Sequence, residues 1–227
     1  MAVSPDGPGH AATPAPVRRA GRRRDPAPGP GRLAIAPIRS FVAILLPAAL
    51  RARLGAEIER LRATARGVGW IAPEHLHLTL KFLGGVEPAR LEGVAAALGR
   101  VAAAGAPFDL ALHGLGAFPA STRPRILWGG VGAGAPTVVD LAARVDEALA
   151  TLGFAAEARP FSAHVTLGRV REPRRNPALA AALDAAATLD FGLFTVEQIA
   201  LMRSDLSPRG ACYTCLESWP LGLAPNR

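Results

Sequence analysis

At 227 residues, half of them apolar, the chain is long enough to bury a substantial core without metal or disulfide staples. Its formal net charge of +8 divides evenly, because six arginines against Asp6 and Asp25 give residues 1–37 a net +4 and the remainder carries the other +4. A mildly basic body favours polyanionic partners such as nucleic acid or nucleotides, although charge sets attraction and not specificity.

Residues 1–37 are rich in Pro, Gly, Ala and Arg and lack a hydrophobic period, which predicts a disordered, solvated extension. The apolar run Phe41 to Leu50 follows Arg22-Arg23-Arg24, but it contains Pro47 and is closed by Arg51 and Arg53. It therefore reads as a buried strand, Phe41 to Leu46, entering a helix, and not as a signal peptide. No other stretch is long enough to span a membrane. Leu50, Leu54, Ile58 and Leu61 recur at helical spacing, and the helix they define ends near Gly67. Leu76 to Leu83 is a strand closed by Gly84-Gly85, and a second helix runs from about Pro88 to Ala104. Phe108 to Leu115 and Arg125 to Val131 read as strands around a loop containing prolines. A third helix, about Pro136 to Leu152, carries Val139, Leu141, Val145 and Leu149 as its core stripe. Ala163 to Val170 is the next strand, Pro177 to Ala187 the next helix, and two strands, Phe191 to Met202 and Ala211 to Ser218, end the chain.

Two of these strands carry the same phrase, His77-Leu78-Thr79-Leu80 and His164-Val165-Thr166-Leu167. In an extended segment each His and its Thr share one face, while the intervening apolar residue and the following Leu share the other. Helix, His-x-Thr strand and helix, seen twice, imply an internal duplication and a two-lobed α+β domain whose motif strands line the groove between lobes. Strands that flank helices without strict alternation argue against a doubly wound sheet. Paired imidazoles in opposite protonation states perform acid-base displacement at phosphorus without a metal, and hydroxyls on the same face are placed to hold phosphoryl oxygens. Zinc is the competing chemistry, but neither motif contains Cys, Asp or Glu, and Glu74 faces away from His77 in an extended strand. His75 shares a face with His77 and rims the cleft, His113 stands alone, and His10 lies in the extension. Cys212 and Cys215, the only cysteines, face opposite ways on a strand, which argues against a redox or zinc pair and fits a reducing, cytoplasmic compartment.

Longer segments resemble one family. Trp70-Ile71-Ala72-Pro73-Glu74-His75-Leu76-His77-Leu78-Thr79-Leu80-Lys81-Phe82-Leu83-Gly84, then Arg159-Pro160-Phe161-Ser162-Ala163-His164-Val165-Thr166-Leu167-Gly168-Arg169-Val170, then the segment Arg203 to Tyr213, and the opening Arg39 to Ile44, are similar to the RNA 2′,3′-cyclic phosphodiesterases, also called 2′-5′ RNA ligases, of the 2H phosphoesterase superfamily. The resemblance covers Ile38 to Leu221. It implies a bilobal fold, two pseudo-twofold-related lobes of antiparallel sheet with helices outside and a central cleft, over residues 38–222, with 223–227 as a tail. It also implies cofactor-free and metal-free hydrolysis of RNA or nucleoside 2′,3′-cyclic phosphates to 2′-phosphates, with reversible 2′-5′ ligation known in the family, by a protein expected to be a monomer. Carried over by position, His77 is the proton donor to the leaving 3′ oxygen and His164 the acceptor that activates water. Thr79 and Thr166 hold the phosphate, and Arg169 adds a charged contact if a kink at Gly168 turns it toward the cleft. Phe82, at the equivalent place in the first motif, is expected in the core. The extension, Gly168 where the family commonly has Ala, and the two cysteines depart from the family pattern. A nucleotide-binding module without turnover, or an enzyme for another cyclic phosphate or a 2′-5′ linkage, are the alternatives.

Overall fold

The computed structural model describes residues 36–207 and 210–223. The expected extension, 1–37, and tail, 223–227, lie almost entirely outside them, as does His10. In chain order the elements are β1 (Ile38–Leu45), α1 (Ala48–Arg62), β2 (Val68–Trp70), a short 3-10 turn (Pro73–His75), β3 (His77–Val86), α2 (Pro88–Ala103), β4 (Phe108–Phe118), β5 (Ile126–Val131), α3 (Ala135–Ala150), β6 (His164–Val170), α4 (Pro177–Ala185), β7 (Asp190–Val196), β8 (Gln198–Ser207) and β9 (Gly210–Pro220).

All strand pairings are antiparallel, in the order β7-β4-β5-β6-β3-β1-β8-β9, with β2 added to β6. Outward from the centre, β3-β1-β8-β9 on one side answers β6-β5-β4-β7 on the other. The two motif strands are thus the innermost strand of each half and neighbours of one another, which is the pseudo-twofold arrangement. Two helices exchange halves: α1 leaves β1 but packs against β7, whereas α3 leaves β5 but packs on β3. The other two stay with their own halves, α2 on α3 and β9 and α4 on β4.

The helices cover one face of the sheet. Val42, Ile44, Leu78, Leu80, Leu127, Val165, Leu167, Ile199 and Leu201 point into that layer and meet Leu54, Ile58, Leu98, Leu141 and Leu149 from the helices, forming one continuous core. The predicted stripe of α1, Leu50, Leu54, Ile58 and Leu61, is buried throughout. In α3 the stripe falls on Val138, Leu141, Ala142, Val145 and Leu149, while Val139 is 42% exposed, since it lies one residue off the period set by the others. The opposite face of the sheet holds a small cluster of Phe41, Ala43, Ala200 and Met202, with Tyr213 packed against it.

Two other expectations need correction. The run Phe191 to Met202 is not one strand, because the chain breaks at Glu197 and sends β7 and β8 to different halves of the sheet. Nor do Gly84 and Gly85 close β3; they pair with Ser40 and Arg39 of β1 beyond an irregularity in register. The short β2 was not foreseen, since three residues carry no readable period.

Bulges at matching places reorganise both motif strands. Val42 and Ala43 of β1 pair with Lys81 and Thr79, leaving Leu80 as an extra residue; Leu127 and Trp128 of β5 pair with Gly168 and Thr166, leaving Leu167 as its counterpart. Each bulge turns two consecutive side chains into the helix layer. Strict alternation would put Lys81 beside His77 and Thr79, but the bulge buries it to 2% exposure, where its ammonium pairs with Asp146 of α3 and donates to the Ala155 carbonyl, 2.7 Å away. The Asp146 carboxylate also accepts from the Glu157 amide. The only lysine of the chain therefore ties the first motif strand to the segment that leads into the second.

Removing the acidic partner should be the costlier change, because it strands a buried ammonium, whereas removing Lys81 leaves a half-buried carboxylate that still holds an amide. Asp146→Ala is expected to destabilise the fold by about 3–5 kcal/mol and Lys81→Met by about 1–3 kcal/mol. Urea unfolding of both variants measures this, and the reverse order would contradict the burial described.

Candidate active site

Pairing of Leu78 with Val165 fixes how the motifs face each other. Both side chains are fully buried in the helix layer, so the flanking residues project from the helix-free face. Antiparallel register then sets His77 beside Thr166 and Thr79 beside His164, with each imidazole diagonal to the other at about 7–8 Å between backbone positions. Two imidazoles and two hydroxyls converge on one patch, and all four predicted residues are half-buried there.

Both rings are oriented by the same local device. His77 Nδ1 lies 2.7 Å from the His75 carbonyl oxygen, and His164 Nδ1 lies 2.7 Å from the Ser162 carbonyl oxygen. A carbonyl only accepts, so Nδ1 carries hydrogen in both rings and Nε2 is left for the cleft. Neutral, each Nε2 is a base; protonated, each is a donor. Aromatic side chains hold the rings in place. Phe41 stacks on His77 at 4.7 Å and Tyr213 meets its face edge-on at 5.0 Å, while Phe118 meets His164 edge-on at 5.2 Å. Phe118 in turn packs on Trp128, whose ring passes directly over Gly116, where any Cβ would lie 2.3 Å from it.

Burial pushes the pKa of both histidines down from 6.5. The carbonyl bonds partly offset this, and repulsion from a neighbouring basic group adds to it, His75 for His77 and Arg169 for His164. Burial likewise pushes the Tyr213 hydroxyl up, against the pull of Arg169 and Arg39. Arg169 is therefore close enough to act on groups in both halves. The kink it needed is the bulge at Leu167, after which Arg169 pairs with Ile126 and stands exposed on the face of Thr166. Gly168 sits where β2 crosses closely, and a Cβ there would meet Val68 Cγ1 at 2.8 Å. Phe82 follows the matching bulge and is 55% exposed, 6.0 Å from Phe41, so it is not the core residue expected.

The remaining titratable residues divide between rim and elsewhere. His75 ends the 3-10 turn, packs edge-on to Tyr213, and with Leu45, Arg51, Glu74 and Tyr213 lines a cavity of about 210 Å³ beside His77. The Glu74 carbonyl holds Arg51 at 2.9 Å. His113 is exposed on β4, paired with Asp190. Cys212 and Cys215 are free thiols, paired with Asp205 and Met202 on opposite faces of the sheet. Among the described residues no group of three or more His, Cys, Asp or Glu side chains is placed to hold a metal ion, and no helix is long and apolar enough to cross a membrane. Sequence reasoning missed Phe41, Phe118, Trp128 and Tyr213 as ring supports and Lys81 as the internal tie. The legible signal was their residue type in strands adjoining the motifs.

A two-lobed antiparallel fold with one His-x-Thr strand from each half defines the 2H class of phosphoesterases. The chain belongs to the 2'-5' RNA ligase superfamily, whose sequence profile matches residues 47–208. It is 32% identical over 184 residues to a protein of Methanothermobacter thermautotrophicus named RNA 2',3'-cyclic phosphodiesterase, covering 81% of this chain and 99% of that protein. An identically named protein of Aeropyrum pernix is 37% identical, covering 64% of this chain and 82% of its own. Among solved structures, TT0787 of Thermus thermophilus superposes with a TM-score of 0.70 at 32% identity, covering 82% of this chain and 98% of that one. E. coli LigT complexed with 3'-AMP gives 0.64 at 27% identity, over 82% and 99%.

Following the histidine ring protons by NMR through a pH titration should give midpoints for His77 and His164 below 6.5. Arg169→Gln should raise the His164 midpoint, since a cation that disfavours the imidazolium is gone, and leave His77 in place. An unmoved His164 would remove Arg169 from the site.

Proposed function

We propose that this protein hydrolyses RNA or nucleoside 2′,3′-cyclic phosphates to 2′-phosphates by acid-base catalysis at the histidine pair. The observation that carries the reading is the matched pair of imidazoles, each with Nδ1 tied to a backbone carbonyl and Nε2 free, on adjacent strands with a threonine beside each. Binding alone would need donors but no such pair of equivalent proton carriers. The relatives' names and the family assignment support the same substrate class.

His164 Nε2 takes a proton from a water molecule as its oxygen attacks phosphorus, and the P–O3′ bond breaks as His77 Nε2–H gives its proton to the departing 3′ oxygen. The phosphate remains on the 2′ oxygen, His164 is left protonated and His77 neutral, and proton exchange with solvent restores both rings. Thr79 and Thr166 donate their hydroxyl hydrogens to the non-bridging oxygens, where charge accumulates, and Arg169 offers a guanidinium to the same oxygens. Phe82 presents an exposed ring on which a nucleobase can stack. With a 5′-hydroxyl of RNA in place of water as the attacking group, the same steps break the P–O3′ bond and form a 2′-5′ bond.

Turnover requires one ring neutral and the other protonated, so the rate must be bell-shaped in pH. Because both free-enzyme values lie below 6.5, the optimum of kcat/KM is expected below 6.5, and the kcat profile should move upward because a bound phosphate favours imidazolium. The deciding assay is hydrolysis of a nucleoside 2′,3′-cyclic phosphate in EDTA, with the 2′-phosphate as product. His77→Ala and His164→Ala should each lower kcat by about 10²- to 10⁴-fold with the fold intact. Failure of the native protein to turn over, or full activity in either variant, would reject the reading.

A further inference from the structure

One cavity among the described residues lies apart from the cleft. A groove of about 750 Å³ opens where β6 leaves the sheet, between the residues that follow α1 and those that enter α4. Four arginines line it, Arg66, Arg171, Arg174 and Arg175, all exposed, against a single acidic residue, Glu172. Glu172 is engaged by Arg174, and among the described residues the other three guanidiniums have no carboxylate partner. The walls are fastened to each other. The Arg171 amide donates to the Gly67 carbonyl at 3.0 Å, and the Asn176 side chain donates to the Thr64 carbonyl at 3.1 Å while capping α4 through the Leu179 amide at 3.1 Å. No aromatic side chain lines the groove, whose apolar lining is small or aliphatic, with Ala63, Val68 and Val170 among it.

The groove is joined to the cleft by one strand. β6 carries His164 and Thr166, then passes its bulge and turns Arg169 to the cleft face. Arg171 follows directly on the end of β6 at Val170 and stands at the groove. From His164 to Val170 the strand advances at most about 20 Å at its usual rise, a span that a few nucleotides cover. Guanidiniums hold phosphates by charge-assisted hydrogen bonds, and without an aromatic ring the groove offers no aromatic platform on which a base would stack.

We propose that this groove is a binding subsite for the sugar-phosphate backbone of the RNA that lies 5′ of the cyclic end, taken without regard to sequence. The inference rests on the phosphodiesterase reading for the chemistry at the RNA end, but the groove's contribution to RNA binding is measurable apart from it.

The test compares the full-length protein with the double variant Arg171→Gln/Arg175→Gln, checked for an unchanged melting temperature. Two substrates are used, a mononucleoside 2′,3′-cyclic phosphate and an oligoribonucleotide of about ten residues with the same end. The double variant should lose about tenfold in kcat/KM on the oligonucleotide, through KM, and nothing on the mononucleotide. Its dependence of log(kcat/KM) on log salt should flatten by about 1.4, for two lost single-strand phosphate contacts. An equal loss on both substrates, or none on the oligonucleotide, overturns the proposal. If the native protein turns over neither substrate, the phosphodiesterase reading fails by itself. Fluorescence anisotropy of a labelled RNA oligonucleotide still decides on the groove: about tenfold weaker binding by the variant supports it and equal binding overturns it. Arg66→Gln on the opposite wall should weaken the same binding, and no change there also counts against the groove.

Discussion

Everything in the site depends on one antiparallel contact, that of Leu78 with Val165 at the centre of the sheet. It joins two halves of similar topology, each of which supplies one imidazole and one hydroxyl. Because both residues are fully buried under the helices, their pairing cannot slip by one position without turning an apolar side chain to solvent and a histidine into the core. Register here is thus a consequence of core packing. The exchange of α1 and α3 between halves strengthens it, since each half's core is completed by a helix from the other.

Upon that contact the bulges build an asymmetry. They sit at the same place in both strands, yet one turns Lys81 inward and Phe82 outward, while the other places Gly168 inward and Arg169 outward. One half of the cleft therefore offers an aromatic surface and the other a cation, a division suited to a ligand with a base at one end and a phosphate at the other. The two imidazoles, by contrast, are held alike, by the same carbonyl two residues upstream. Their different roles must come from the unlike neighbours and from how the substrate lies between them.

Much of this was legible in the chain because strand alternation is a strong constraint. The placement of His77, Thr79, His164 and Thr166 on one face, the helices α1 to α4, and the opposed thiols of Cys212 and Cys215 all follow from period and residue type. What escaped depends on departures from period or on pairing at a distance. Lys81 reads as a cleft residue until the extra Leu80 turns it inward, and Phe82 reads as core for the same reason. Phe191 to Met202 reads as one strand because nothing in its apolar run marks Glu197 as the point where the chain crosses between halves. Phe41, Phe118 and Tyr213 come to the histidines only through strand order, which local pattern does not encode.

The account makes both imidazoles equivalent proton carriers, pinned at Nδ1 and open at Nε2, and leaves substrate orientation to decide which is acid and which is base. Long-range ¹⁵N–¹H correlation spectra of the histidine rings, recorded well above pH 6.5, test this directly. The account predicts that His77 and His164 both show a protonated Nδ1 and an unprotonated Nε2. A protonated Nε2 in the neutral form of either ring would contradict it, because the nitrogen facing the cleft could then not receive a proton from water.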